Sequence, residues 1–188
     1  MSTAMKNLLF ERQYRLIRTN VQWLRQADAL LKAISDSEYV AAPQKLAPQT
    51  VGGHLRHVLE YYECFLNGLS SSHIDYDARK RDPAVQSSRS AALQRIESLI
   101  SRLESEPALR GDSVIWVRVE DSEALSVPEP FLVSSVGREL QGLSSHTIHH
   151  LALIAMVLRA LGVPVGQDFG MASSTLRYLA TQSAAEAA

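Results

Sequence analysis

Apolar residues recur along four stretches of this chain at the alternating three- and four-residue spacing of an amphipathic helix. In the first, Phe10, Tyr14, Ile17, Val21, Leu24, Ala27 and Leu31 form a narrow seam about six turns long, which reads as bundle core. In the second, Val51, Leu55, Val58, Tyr62, Phe65 and Leu69 stay within an arc of about 40°, and Thr50 is placed to act as the N-cap. Leu93, Ile96, Ile100 and Leu103 mark a third helix that ends near Pro107. The fourth crosses the charge-free stretch from Leu140 to Leu158 and stops at Gly162 and Pro164, a glycine for the left-handed C′ position followed by a residue that cannot continue a helix. Four such helices and no internal repeat predict an all-α, up-and-down-type four-helix bundle, formed by residues 1–180 as one domain with a frayed, disordered tail at 181–188.

The connections carry weaker signals. Ser35 to Gln49 contains Pro43 and Pro48 and is expected to pack over the bundle. Between helices three and four, Val114–Val119 is rich in β-branched residues and can pair with Pro128–Val133 across a polar turn, which predicts a short β-ribbon. A partly buried excursion explains such a ribbon, as does a lid or a subunit contact. The run from Ile74 to Pro83 mixes acids and bases in a loop, with Asp82 set to cap a helix started by Pro83.

Composition narrows the function classes. At 188 residues, with 46% hydrophobic and 21% charged, the chain can bury one substantial core and is short for two. Its formal net charge is −1 and no dense basic stripe appears, which argues against nucleic acid or an anionic membrane surface as partner. No basic-then-apolar leader is evident, and the Leu140–Leu158 stretch is too polar for a spanning helix. One cysteine, Cys64, allows no internal disulfide, so a reducing cytoplasm is the natural expectation. As a thiol seven residues after His57 it can reach the same helical face, although a buried structural role is the commoner fate.

The candidate chemistry lies in the histidines. His146 and His150 are one turn apart, so both imidazoles leave the fourth helix in similar directions, while His149 is turned further from the core arc. Two imidazoles bind a divalent ion weakly, and a stable site needs at least a third ligand. His54 and His57 both lie on the second helix, and helical geometry permits either without choosing between them.

Thr50-Val-Gly-Gly-His-Leu-Arg-His57 followed by Phe65-Leu66, with His146-x-x-His149-His150 about ninety residues on, resembles the DinB-like (DinB/YfiT) family of small helical metal-binding proteins. The likeness extends from the first helix to the closing Asp168-Phe-Gly-Met-Ala-Ser-Ser-Thr-Leu-Arg. It implies a four-helix bundle with one divalent metal, zinc first and nickel as the alternative, on His57, His146 and His150. It also suggests a homodimer, to which Val114–Val119 could contribute an apolar surface. A similar Tyr-Asp-x-Arg stretch in one subgroup raises the interest of Tyr76, Asp77 and Arg79. The chain departs from many relatives after His150, where Leu151-Ala152-Leu153 stands in place of Arg-Gly-Gln.

Three neutral imidazoles leave the full +2 charge on an ion and at least one open position, which suits catalysis on a small-molecule substrate. The resemblance includes thiol-dependent transferases and isomerases that use low-molecular-weight thiols such as bacillithiol or mycothiol. The expected activity is therefore thiol transfer to, isomerisation of, or hydrolysis of a small electrophile, by a transferase or hydrolase. Glu60, nearly one turn after His57, is the candidate catalytic base or the group that orients a ligand imidazole. The competing expectation is a non-catalytic metal-binding protein of the stress response.

Overall fold

The computed structural model describes residues 3–119 and 130–186. Its long helices are α1 (Thr3–Ala33), α3 (Val51–Gly68), α5 (Arg89–Ser105) and α6 (Val136–Ala160). Between them lie the short α2 (Asp36–Val40) and α4 (Pro83–Ser87), and α7 (Ser173–Glu186) follows α6. Helices α1 and α3 each pack on both α5 and α6, which closes a four-helix bundle.

The starts of these helices have local causes. Thr50 Oγ1 accepts from Gly53 N at 2.9 Å at the head of α3, and Ser135 Oγ accepts from Arg138 N at 3.2 Å at the head of α6. Asp82 caps Pro83–Ser87 through Ala84 N, as the Asp-Pro pair predicts. Gly162, with φ of +77°, ends α6 in the left-handed region.

Leu24 and Leu31 of α1, Leu55, Tyr62 and Phe65 of α3, and Leu140, Leu151 and Ile154 of α6 are fully buried, so the expected seams meet in one core. Two seams differ from expectation. On α5 the buried row is Ala92, Ile96, Leu99 and Leu103, with Leu93 and Ile100 partly buried on its flank. On α1, Phe10 and Tyr14 are each half exposed and line a groove of about 970 Å³ with Arg18, Leu103 and Arg110. The buried position there is Gln13, whose amide donates to Gly111 O at 3.2 Å.

A polar network crosses the middle of the bundle. Tyr62 Oη donates to Asn20 Oδ1 at 2.8 Å and lies 3.0 Å from Thr147 Oγ1; Asn20 Nδ2 donates to Leu140 O at 2.9 Å, and Thr147 Oγ1 to Leu143 O at 2.7 Å. Every member is buried and bonded, which fixes α1, α3 and α6 against one another.

The ribbon is a three-stranded sheet. Strand β2 (Val114–Arg118) runs antiparallel to β3 (Leu132–Ser135), with Trp116 opposite Val133; among the described residues the second strand begins at Leu132, and residues 128–129 with the expected polar turn lie outside them. On its other edge β2 pairs in parallel with β1 (His73–Asp75), Ile74 opposite Val117. A strand of three residues leaves no alternation to detect, which is why β1 is absent from the sequence expectation. The sheet joins the two histidine-bearing helices: β1 follows the end of α3, β3 runs into α6, and Val136 N donates to Ser113 O at 3.0 Å.

Helix α7 has helical backbone as far as Glu186. Among the described residues no helix is long and apolar enough to cross a membrane.

Candidate metal centre

Each helix brings its histidines to the α3–α6 contact by ordinary periodicity. His57 lies two turns into α3, and His146 and His150 lie a turn apart in the middle of α6, flanking the buried Thr147. One ring nitrogen from each of the three lies within 4.8 Å of the others. His57 Nε2 and His146 Nε2 are 3.1 Å apart, close to the roughly 3.3 Å between two nitrogens of a tetrahedral shell with metal–nitrogen bonds near 2.0–2.1 Å. The ring centroids of His57 and His150 lie 4.8 Å apart, and those of His146 and His150 4.5 Å.

All three rings are held neutral at pH 7. Burial pushes His57 down to about 4, helped by the positive charges of Arg79 and Arg56. His146 is lowered to about 4 by burial and then by His57, and His150 to about 3 by burial and then by His146 and His57. A divalent ion entering here need not displace protons from them. The donor set, its spacing and its protonation state fit one divalent ion of borderline softness.

The other histidines separate clearly. His54 is buried against His150, Nδ1 to Nδ1 at 3.1 Å, beside the trio but not in it. His149 is exposed, and His73 packs beside Trp116 and Phe131 on the sheet. Among the described residues no cysteine or carboxylate joins the three-histidine group. Cys64 is partly buried and its thiol is pushed up to about 11, chiefly by burial, which keeps it protonated.

Glu60 is buried, accepts from Asp82 N at 2.7 Å, and lies 3.9 Å from the Arg56 guanidinium. Among the described residues no hydrogen bond links it to an imidazole, and its carboxylate is bonded to the loop before α4. The loop covers that face of α3 and makes the position an interior one.

Tyr61 and Arg79 complete the surroundings. The Tyr61 ring lies 4.3 Å from His146 and 4.8 Å from His57, stacks on Tyr76 at 4.9 Å, and carries the Arg79 guanidinium over its face at 4.6 Å. Tyr76 Oη donates to Glu139 Oε2 at 2.9 Å, which ties the loop to α6. Asp77 has its backbone N–H on Asp75 Oδ1. The sequence points to Tyr76 and Arg79 as a pair to watch, whereas Tyr61 could have been found from its place one turn after His57.

The model of the DinB family matches residues 1–177, and the chain belongs to that family. It is also similar to a protein of Rhizopus delemar named FK506-binding protein 5, at 33% identity over 109 residues, which is 58% of this chain and 28% of that protein. The match therefore spans little more than a quarter of the fungal protein's length. No solved structure matches the chain.

Proposed function

We propose that this chain is a metal-dependent enzyme in which His57, His146 and His150 hold one divalent ion, zinc before nickel. The reaction is thiol-dependent transfer or isomerisation, or hydrolysis, of a small electrophilic substrate. The observation that carries this reading is the meeting of three neutral imidazoles with no fourth protein ligand of the same group among the described residues. A structural site fills its shell from the protein, whereas a catalytic one keeps a position for water or substrate.

A bound ion of this kind supplies Lewis acidity and lowers the pKa of a thiol or water that it binds. The residues of the chain do the rest. His57 from one helix and His146 and His150 from another fix the donor nitrogens without a flexible loop. Tyr61 closes one side with an aromatic face. The His54 ring backs His150 from the other side and excludes water from its Nδ1.

The alternative is a bundle that binds metal without turnover. Cobalt-substituted protein distinguishes the two: the catalytic reading expects a visible spectrum that azide or a small thiol changes, and turnover of at least one electrophile in a screen with and without thiol. A spectrum that no added ligand moves, with no turnover, would overturn it in favour of the metal-binding reading. We further propose a cytoplasmic homodimer, the dimer supported by Val114, Trp116 and Val133, which share one exposed apolar face of the sheet. Light scattering at micromolar concentration tests that assembly, and a monomeric mass would refute it.

A further inference from the structure

We propose that Arg79 is the anion-recognition group of the three-histidine site, so that the small molecule processed there carries a carboxylate or a comparable anionic group. This rests on the metal reading above and adds the chemical class of its ligand.

The guanidinium stands one aromatic ring away from the trio, over the Tyr61 face whose neighbours are His57 and His146. Its Nε is shut off from solvent and has no hydrogen-bond partner. A buried donor left unmade is unfavourable, and a cation–π contact does not supply an acceptor. Carboxylates are close at hand in sequence; Asp77, two residues away, forms no ion pair with Arg79 among the described residues, and the others are engaged elsewhere. Asp75 pairs with Arg118, Asp82 and Glu63 pair with Arg95, and Glu60 accepts from Asp82 N beside Arg56. Among the described residues no ion pair reaches Arg79.

The loop that presents it is held at both ends. Tyr76 is stacked on Tyr61 and bonded to Glu139, and Asp82 is anchored by Glu60 and Arg95. Between them Arg81 takes φ of +50°, a conformation that a non-glycine residue adopts at some energetic expense. A fixed loop thus sets an unpaired guanidinium beside three neutral rings. With a divalent ion in place the site would hold a net positive charge and no protein anion, and a planar guanidinium matches a carboxylate with two parallel N–H donors.

The test uses the full chain loaded with cobalt and two rigid thiols, 4-mercaptobenzoate and 4-mercaptobenzamide. The para group of each is too far from the sulfur to reach the same ion. Titration followed through the thiolate–cobalt absorption should show the acid binding roughly tenfold or more tighter than the amide in the native protein. In Arg79→Gln the preference should vanish because the acid weakens far more than the amide, and Arg79→Lys should keep part of it. Equal affinities in the native protein would overturn the proposal whether or not the variants fold. So would an Arg79→Gln protein that retains the preference, or one that weakens both thiols equally, which would make Arg79 only a support for Tyr61. Failure of the native protein to bind cobalt at all would instead remove the metal reading, and the anion site with it.

Discussion

Replacing His54 with alanine should weaken zinc binding by about 10- to 100-fold without abolishing it, which is about 1.4–2.7 kcal/mol. The reasoning starts from two Nδ1 atoms 3.1 Å apart on His54 and His150. If His150 gives its Nε2 lone pair to the ion, its Nδ1 must carry the hydrogen and donate. His54 Nδ1 must then accept, with its own hydrogen on Nε2. Burial and the neighbouring His149 lower the His54 pKa, so the neutral, accepting form is the one present at pH 7. Carboxylates or backbone carbonyls usually fill this role toward a metal-bound histidine, and here a second imidazole does.

The assay is competition for zinc against a chromophoric chelator at pH 7.5, across single variants of the buried and exposed histidines. His57→Ala, His146→Ala and His150→Ala should lose the metal almost completely. His149→Ala and His73→Ala should match the native protein. His54→Gln, whose side-chain oxygen can still accept, should recover part of what His54→Ala loses. Complete loss of zinc in His54→Ala, together with retention in His57→Ala, would refute the argument by making His54 the ligand from α3. Unchanged affinity in His54→Ala would show that the contact does not orient His150.

Tyr62→Phe removes the hydroxyl that donates to buried Asn20 Oδ1 and should lower unfolding free energy by about 1–3 kcal/mol in urea titration. Gly52→Ala should destabilise by about 1–3 kcal/mol or more. A Cβ there would stand 2.0 Å from the backbone oxygen of Gln86 and force α3 and α4 apart; Gly53→Ala, which meets only the Thr50 hydroxyl at 3.1 Å, is the melting-temperature control. The lowered pKa values of His57, His146 and His150 give a sign for the pH dependence of the metal-free protein. The unfolded chain takes up protons below about 6.5 while the folded one does not until about 4, so stability is level from this cause above pH 6.5 and falls as pH drops from there toward 4. Denaturation midpoints that stay flat over that interval in the native protein, or that fall equally in a triple alanine variant, would contradict it.

What was legible in the sequence was what depends on one helix at a time. The seams on α3 and α6, the Thr50 and Asp82 caps and the Gly162 stop each need only local spacing, and each stands where the pattern puts it. The same spacing brought His146 and His150 together, and the family pattern selected the third member that the model brings beside them. What depends on a distant segment was not legible. Nothing in the sequence of α3 shows that the Asp82 loop will cover Glu60. Phe10 and Tyr14 continue an apolar seam, but at this end of α1 the segment after α5 buries Gln13 in their place, so they border a groove. Strand β1 exists only because β2, some forty residues later, pairs with it.

The buried hydroxyl network connects these two kinds of information. Tyr62 lies five residues after His57 on α3, and Thr147 lies directly after His146 on α6, with their oxygens 3.0 Å apart. Sliding α3 along α6 by one residue, a rise of about 1.5 Å, would break that contact and would carry His57 away from His146 by a similar distance. The register that satisfies Tyr62, Asn20 and Thr147 is thus also the register that sets the 3.1 Å approach of the two Nε2 atoms. An apolar seam alone tolerates small slips, because one leucine can replace another against a neighbour, whereas buried polar groups that rely on one another for their hydrogen bonds do not. Asn20 extends the constraint to α1 through Leu140 O, so three helices must agree before the histidines meet. Precision at the metal centre then comes from polar groups in the core that never touch the ion.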